Sequence, residues 1–157
     1  MLGVTAASGL TVLIADNRKA FHAAMATSLG GLAMIGAAVG GLATGWLGGF
    51  AFMVLVGLGL YLPYVAVHTT LFERLIAMTR DRGNIGYLMY LADAFGYLGY
   101  AAVMLAQNAA RRESGFVNFF LLSCVITAVA GGLLMLFCWA YFAARRPAEP
   151  LVKEPPQ

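Results

Sequence analysis

Four long apolar runs constrain this chain more than any other feature of its sequence. They occupy residues 20–43, 50–78, 84–107 and 115–144, and 61% of the 157 residues are hydrophobic. Each run is longer than the roughly 20 helical residues that cross a hydrocarbon layer. Because backbone polar groups in lipid must be hydrogen-bonded internally, such runs predict helices. We therefore expect an all-α, polytopic membrane helical bundle in a single transmembrane domain, residues 1–146.

The two ends of the chain differ from these runs. Residues 1–15 are apolar but would form a helix only about 22 Å long, which predicts a short span or an interfacial helix. This segment has no leading basic region, so we expect no cleavable signal peptide. Residues 147–157 are rich in proline and predict a disordered cytoplasmic tail.

The basic residues predict orientation and exclude nucleic acid as a partner. The net charge is +3, but the positive residues fall at the ends of the apolar runs and form no single soluble face. If the spans alternate, only Arg111 and Arg112 lie on one side. The other side carries Arg18, Lys19, Arg74, Arg80, Arg82, Arg145, Arg146 and Lys153. The positive-inside rule therefore predicts a cytoplasmic C-terminus.

A charged turn at residues 79–83 joins the second and third long runs into a hairpin with one polar pair inside. His68 lies ten residues before Met78 and Asp93 lies nine residues after Asn84. Both therefore lie about 14 to 15 Å from the same membrane face. An intramembrane carboxylate is costly unless it faces protein, water or a partner. We expect Asp93 to bind protons with His68 as its nearest partner, because histidine exchanges protons near neutral pH.

Tyrosines surround this pair on both helices. Tyr64 lies one turn before His68, and Tyr90, Tyr97 and Tyr100 share a helix face with the acid. Two interpretations stay open. The tyrosines either bind neighbouring helices together and cap the carboxylate, or form a site for protons, ions or substrate. The candidate intramembrane polar site comprises Asp93, His68, Tyr64, Tyr90 and Tyr97.

Two further patterns predict packing. Gly36 with Gly40, and Gly41 with Gly45, form GxxxG spacings that allow a second helix to approach closely. Pro63 lies inside the second run and predicts a kink. Charged residues near the hairpin turn predict a cytoplasmic rim salt-bridge cluster. Its members are Glu73, Arg74, Arg80, Asp81 and Arg82.

The sequence shows none of the patterns that indicate an enzyme. It has no HExxH, no CxxC and no glycine-rich phosphate loop. Cys124 and Cys138 lie fourteen residues apart in one predicted helix, too far for a disulfide. We predict no cofactor and no metal; the alternative is an axial histidine, His68 or His22, on a haem or a chlorophyll-type pigment.

Residues 62–77, LPYVAVHTTLFERLIA, and 83–99, GNIGYLMYLADAFGYLG, resemble the C-terminal part of an uncharacterised bacterial family similar to major facilitator superfamily transporters. The four long helices resemble the ninth to twelfth of that fold, and residues 16–19 resemble the basic loop before them. The resemblance implies a bacterial inner membrane protein and a transporter fragment. It assigns no substrate, and most of a twelve-helix fold has no counterpart here.

Two functions follow as expectations. The first is a truncated major facilitator-type transporter that pairs with itself or with another chain and uses Asp93 and His68. The alternative is a non-catalytic accessory or assembly subunit of a larger respiratory or photosynthetic membrane complex. Both predict the lipid bilayer and other membrane subunits, or a second copy, as partners.

Overall fold

A computed structural model describes residues 16–79, 84–110 and 115–144 of the chain. The predicted segment 1–15 and the tail 147–157 lie outside the described residues. The described part is helical: α1 Asn17–Ala43, α2 Gly49–Ala66, α3 Phe72–Thr79, α4 Ile85–Ala110 and α5 Phe116–Ala144. A π-helical turn, Val67–Leu71, joins α2 directly to α3.

Four of the described helical segments are long and apolar enough to cross a membrane. They are Asn17–Ala43, Gly49–Ala77, Ile85–Asn108 and Phe116–Ala144. The prediction of an all-α membrane bundle with four long helices is therefore confirmed. The second of these spans contains α2, the π-helical turn and most of α3, so we refer to it as the Gly49–Ala77 span.

Helix α1 begins three residues earlier than residue 20 because Asp16 caps it. The carboxylate Oδ1 accepts hydrogen bonds from the backbone N–H groups of Arg18, at 3.0 Å, and Lys19, at 3.5 Å. An N-cap of this kind satisfies donors that the first helical turn leaves free. At the other end of α1, Gly45 adopts a φ of 72°, which favours glycine, and the chain reverses into α2.

Helix α1 lies at the centre of the packing, against both α2 and α5. The buried apolar cluster consists of Leu32, Ile35, Ala38, Phe52, Val56 and Cys124. Helices α1 and α2 approach each other closely at Gly31 and Gly59. A Cβ added to either glycine would lie 2.7 Å from the other's backbone carbonyl oxygen. These two glycines therefore set the distance between α1 and α2.

Helix α4 packs differently from the other three spans. Between residues 85 and 108, where its side chains are described, none is buried. Large apolar side chains such as Leu98 and Leu105 are exposed on it. In a membrane these apolar groups face lipid or another chain, because the hydrocarbon layer contains no water. The contact between α4 and the Gly49–Ala77 span forms the cleft described below.

Candidate functional site

An open cleft of about 490 Å³ lies between the Gly49–Ala77 span and α4. Its lining residues are Tyr64, His68, Ala92, Asp93, Gly96, Tyr97 and Tyr100. Ala92 and Gly96 lie on either side of the acid along α4, and their small side chains leave room beside it. The cleft thus combines one acid and one histidine with three aromatic rings.

The backbone around His68 departs from a regular α-helix. Pro63 has no N–H to donate one turn back, and four residues later the π-helical turn begins. Within that turn the N–H of Phe72 donates to the carbonyl of Val67, five residues earlier. Such single-turn π-helices occur mostly as insertions in α-helices and frequently lie at functional sites. His68 is the second residue of this turn.

The structure brings His68 and Asp93 into contact across the cleft. The ring nitrogen Nε2 lies 3.1 Å from the carboxylate oxygen Oδ1. The other ring nitrogen, Nδ1, lies 3.0 Å from the backbone carbonyl oxygen of Tyr64. The side chain of the histidine is 21% exposed and that of the acid 46% exposed, so the pair lies at the wall of the cleft.

Both contacts are hydrogen bonds at the same time only if the pair holds two protons. A carbonyl oxygen only accepts hydrogen bonds, so Nδ1 must carry a proton to bond with Tyr64. The contact between Nε2 and Asp93 then needs a second proton, either on the imidazole or on the carboxyl group. In both arrangements the pair carries no net charge and holds one proton more than a neutral histidine beside an ionised aspartate. We call this additional proton the shared proton.

Tyr64 contributes to the site through its backbone and its ring. Its ring centroid lies 4.3 Å from that of His68 at an interplanar angle of 34°. Among the described residues the phenol of Tyr64 makes no hydrogen bond with the histidine.

The tyrosines of α4 fall into two groups. Tyr97 and Tyr100 line the cleft, whereas Tyr90 is 79% exposed and does not. Within the described residues Asp93 is hydrogen-bonded to His68, and no tyrosine hydroxyl caps it. Tyr100 belongs to the tyrosine face of α4 and lines the cleft, although the predicted site does not include it.

The predicted rim cluster is described only in part, since Arg80, Asp81 and Arg82 lie outside the described residues. Arg74 Nη1 donates to Asn17 Oδ1 at 2.6 Å and makes no ion pair with the exposed Glu73 in the part of the chain that is described. This contact is not predictable from the sequence, because it depends on the start of α1 lying beside α3.

The structure places the glycines of the two GxxxG spacings away from the α1–α2 crossing. A Cβ at Gly36 or Gly40 would meet nothing within 4 Å, and one at Gly41 would meet the side chain of Leu47 in the following turn. Gly45 supplies the positive φ of that turn. A role for these glycines in packing against another chain stays a prediction.

His22 is the second histidine of the chain and provides a useful comparison. Its Nδ1 also lies 3.0 Å from a backbone carbonyl, that of Arg18, and its ring packs edge-on against Trp139 with centroids 5.2 Å apart. Unlike His68, it has no acid partner among the described residues. No group of three or more metal-ligating side chains occurs in residues 16–79, 84–110 and 115–144. The haem or pigment alternative stays a prediction.

Residues 1–145 match a family of unknown function, DUF5690. No curated protein and no solved structure matches the chain.

Proposed function

Since the chain belongs to the DUF5690 family, whose function is unknown, we propose from its own residues that it is a proton-coupled, transport-related membrane protein. Asp93 and His68 are the residues that bind and release the proton. The observation that supports this proposal is the pair of contacts at His68, 3.0 Å to a carbonyl oxygen and 3.1 Å to a carboxylate oxygen, which are both hydrogen bonds when the shared proton is present.

Three features support exchange of this proton. The pair borders an open cleft, so water or a ligand can reach it. The π-helical turn gives the histidine a backbone conformation that differs from the α-helix on either side. An intramembrane ionisable residue is costly and is usually associated with ion, proton or substrate pathways. The bacterial inner membrane, the cytoplasmic C-terminus and the relation to major facilitator transporters belong to this proposal as its expected setting.

Electrical recording on a supported membrane tests the proposal. The pair lies about 14 to 15 Å from one membrane face, so a proton that reaches it from water crosses part of the hydrocarbon layer. A pH jump on reconstituted protein should therefore give a transient current. Asp93→Asn should abolish this current because an amide in that position takes up no proton.

His22→Gln is the matched control, since it removes the histidine that lacks an acid partner and should leave the current unchanged. Gel filtration and thermal unfolding establish that each variant is folded. Equal currents from the wild type and Asp93→Asn would overturn the proposal. They would favour the accessory subunit, in which the pair is a packing contact.

A further inference from the structure

We propose that the ligand which exchanges with the shared proton is a protonated primary amine that carries an aromatic or apolar group. The inference rests on the proposed function, because it names the substrate class of the same site. It follows from the donors and acceptors of the pair, from the charge of the cleft and from the residues that line it.

The departure of the shared proton leaves two acceptors facing each other. With Nδ1 of His68 still donating to the Tyr64 carbonyl, Nε2 presents a lone pair to the ionised carboxylate of Asp93 at 3.1 Å. An arrangement of two acceptors without a proton between them is unfavourable. A ligand that supplies two N–H donors from a single cationic nitrogen restores both hydrogen bonds.

A primary ammonium has this geometry. Two hydrogen bonds of about 2.9 Å at a tetrahedral nitrogen hold their acceptors about 4.7 Å apart. The two side chains would have to separate by about 1.6 Å from their present 3.1 Å contact. The Asp93 side chain is 46% exposed, so its rotation supplies this separation while His68 keeps its bond to the Tyr64 carbonyl. A quaternary ammonium has the same charge but no N–H, so it cannot form the bridge.

The exchange is balanced in charge and in protons. The pair begins neutral with the shared proton, which leaves to water as the ammonium enters. Neutral His68, ionised Asp93 and the ammonium again sum to zero. No other acid, histidine or base lines the cleft in the described part of the chain; its remaining titratable side chains are the phenols of Tyr64, Tyr97 and Tyr100.

The walls of the cleft fit an aromatic or apolar group attached to the amine. Three tyrosine rings, with Ala92 and Gly96, form its surface, and aromatic faces attract both cations and apolar groups. A volume of about 490 Å³ lies within the range of about 300 to 1,000 Å³ of small-molecule sites. The whole lining therefore suits a small amphiphilic amine.

Titration calorimetry with phenethylamine as the probe tests the inference. Binding to the purified wild-type protein, measured in buffers of different ionisation enthalpy, should release one proton for each amine bound. The matched ligands are phenethyltrimethylammonium, which keeps the charge but has no N–H, and 2-phenylethanol, which has no charge. Each should bind at least about tenfold more weakly, since it loses charge-assisted hydrogen bonds.

Variants identify the site. Asp93→Asn should abolish proton release, and Tyr97→Leu should weaken phenethylamine binding by about two- to fivefold through loss of an aromatic face. Tyr87→Leu is the control, because this exposed tyrosine of α4 lies outside the cleft. Absence of phenethylamine binding, binding without proton release, or equal affinity for the quaternary analogue would overturn the inference. If the pH-jump current is present in that case, the proposed function survives without this substrate class.

Discussion

Energetic coupling between His68 and Asp93 follows directly from their contact, and a double-mutant cycle of His68→Ala and Asp93→Asn measures it. A charge-assisted hydrogen bond contributes about 1.5 to 3 kcal/mol. The amide of Asp93→Asn retains a neutral bond to Nε2, and such bonds inside membrane proteins average about 0.6 kcal/mol. The coupling energy is the difference between these two hydrogen-bond energies. Because the two side chains are 21% and 46% exposed, we expect a coupling energy at the lower end of that difference. The predicted coupling is about 1 kcal/mol.

The assay is reversible unfolding in mixed detergent micelles, followed by the fluorescence of Trp46 and Trp139. The two single variants and the double variant are compared with the wild type at neutral pH. A cycle between His22→Ala and Asp93→Asn is the control and should be additive, since these residues are not in contact. Additive free energies for the His68 cycle would refute the pairing.

Three further predictions concern the fold and use the same unfolding assay. Gly31→Ala should destabilise the protein by about 1 to 3 kcal/mol because its Cβ would meet the backbone carbonyl oxygen of Gly59 and the side chains of Leu62 and Pro63. Gly36→Ala, with open space around it, should not, and a loss at both positions would contradict this packing. Asn17→Ala should lower the free energy of unfolding by about 1.5 to 3 kcal/mol, because it removes the acceptor of the 2.6 Å hydrogen bond from Arg74. Glu73→Gln, at an exposed position, is the control and should change stability by less than about 0.5 kcal/mol. Equal effects of the two substitutions would exclude the contact. Asp16→Ala should lower the free energy of unfolding by about 0.5 to 2 kcal/mol and speed amide hydrogen exchange in the first turn of α1. Unchanged exchange in that turn would contradict the N-cap.

The sequence predicts the polar pair for a simple geometrical reason. His68 and Asp93 lie at nearly equal distances from one short turn, and a helical hairpin brings such residues to the same depth. The long apolar runs predict the four spans equally well, since length and hydropathy are enough to recognise a membrane helix. The sequence does not predict the π-helical turn, because the residues Val67–Leu71 have no composition that separates it from an α-helix.

The contacts between helices are not predictable from the sequence. Several glycines in α1 have spacings that allow close packing, but the crossing uses Gly31, whose partner Gly59 lies on the facing helix. Which glycine is used depends on both surfaces, so one helix alone does not determine it. The hydrogen bond from Arg74 to Asn17 is not predictable for the same reason, since it joins residues that are far apart in the sequence.

Nitrogen-15 NMR of His68 in bilayers tests the central claim, the shared proton, most directly. The chain has two histidines, so His22→Gln leaves His68 as the single source of imidazole signals. At neutral pH we predict a proton on Nδ1, hydrogen-bonded to the Tyr64 carbonyl, and a second proton between Nε2 and Asp93 that disappears in Asp93→Asn. A bare Nδ1, with a single proton on Nε2 directed at an ionised aspartate, would contradict the account.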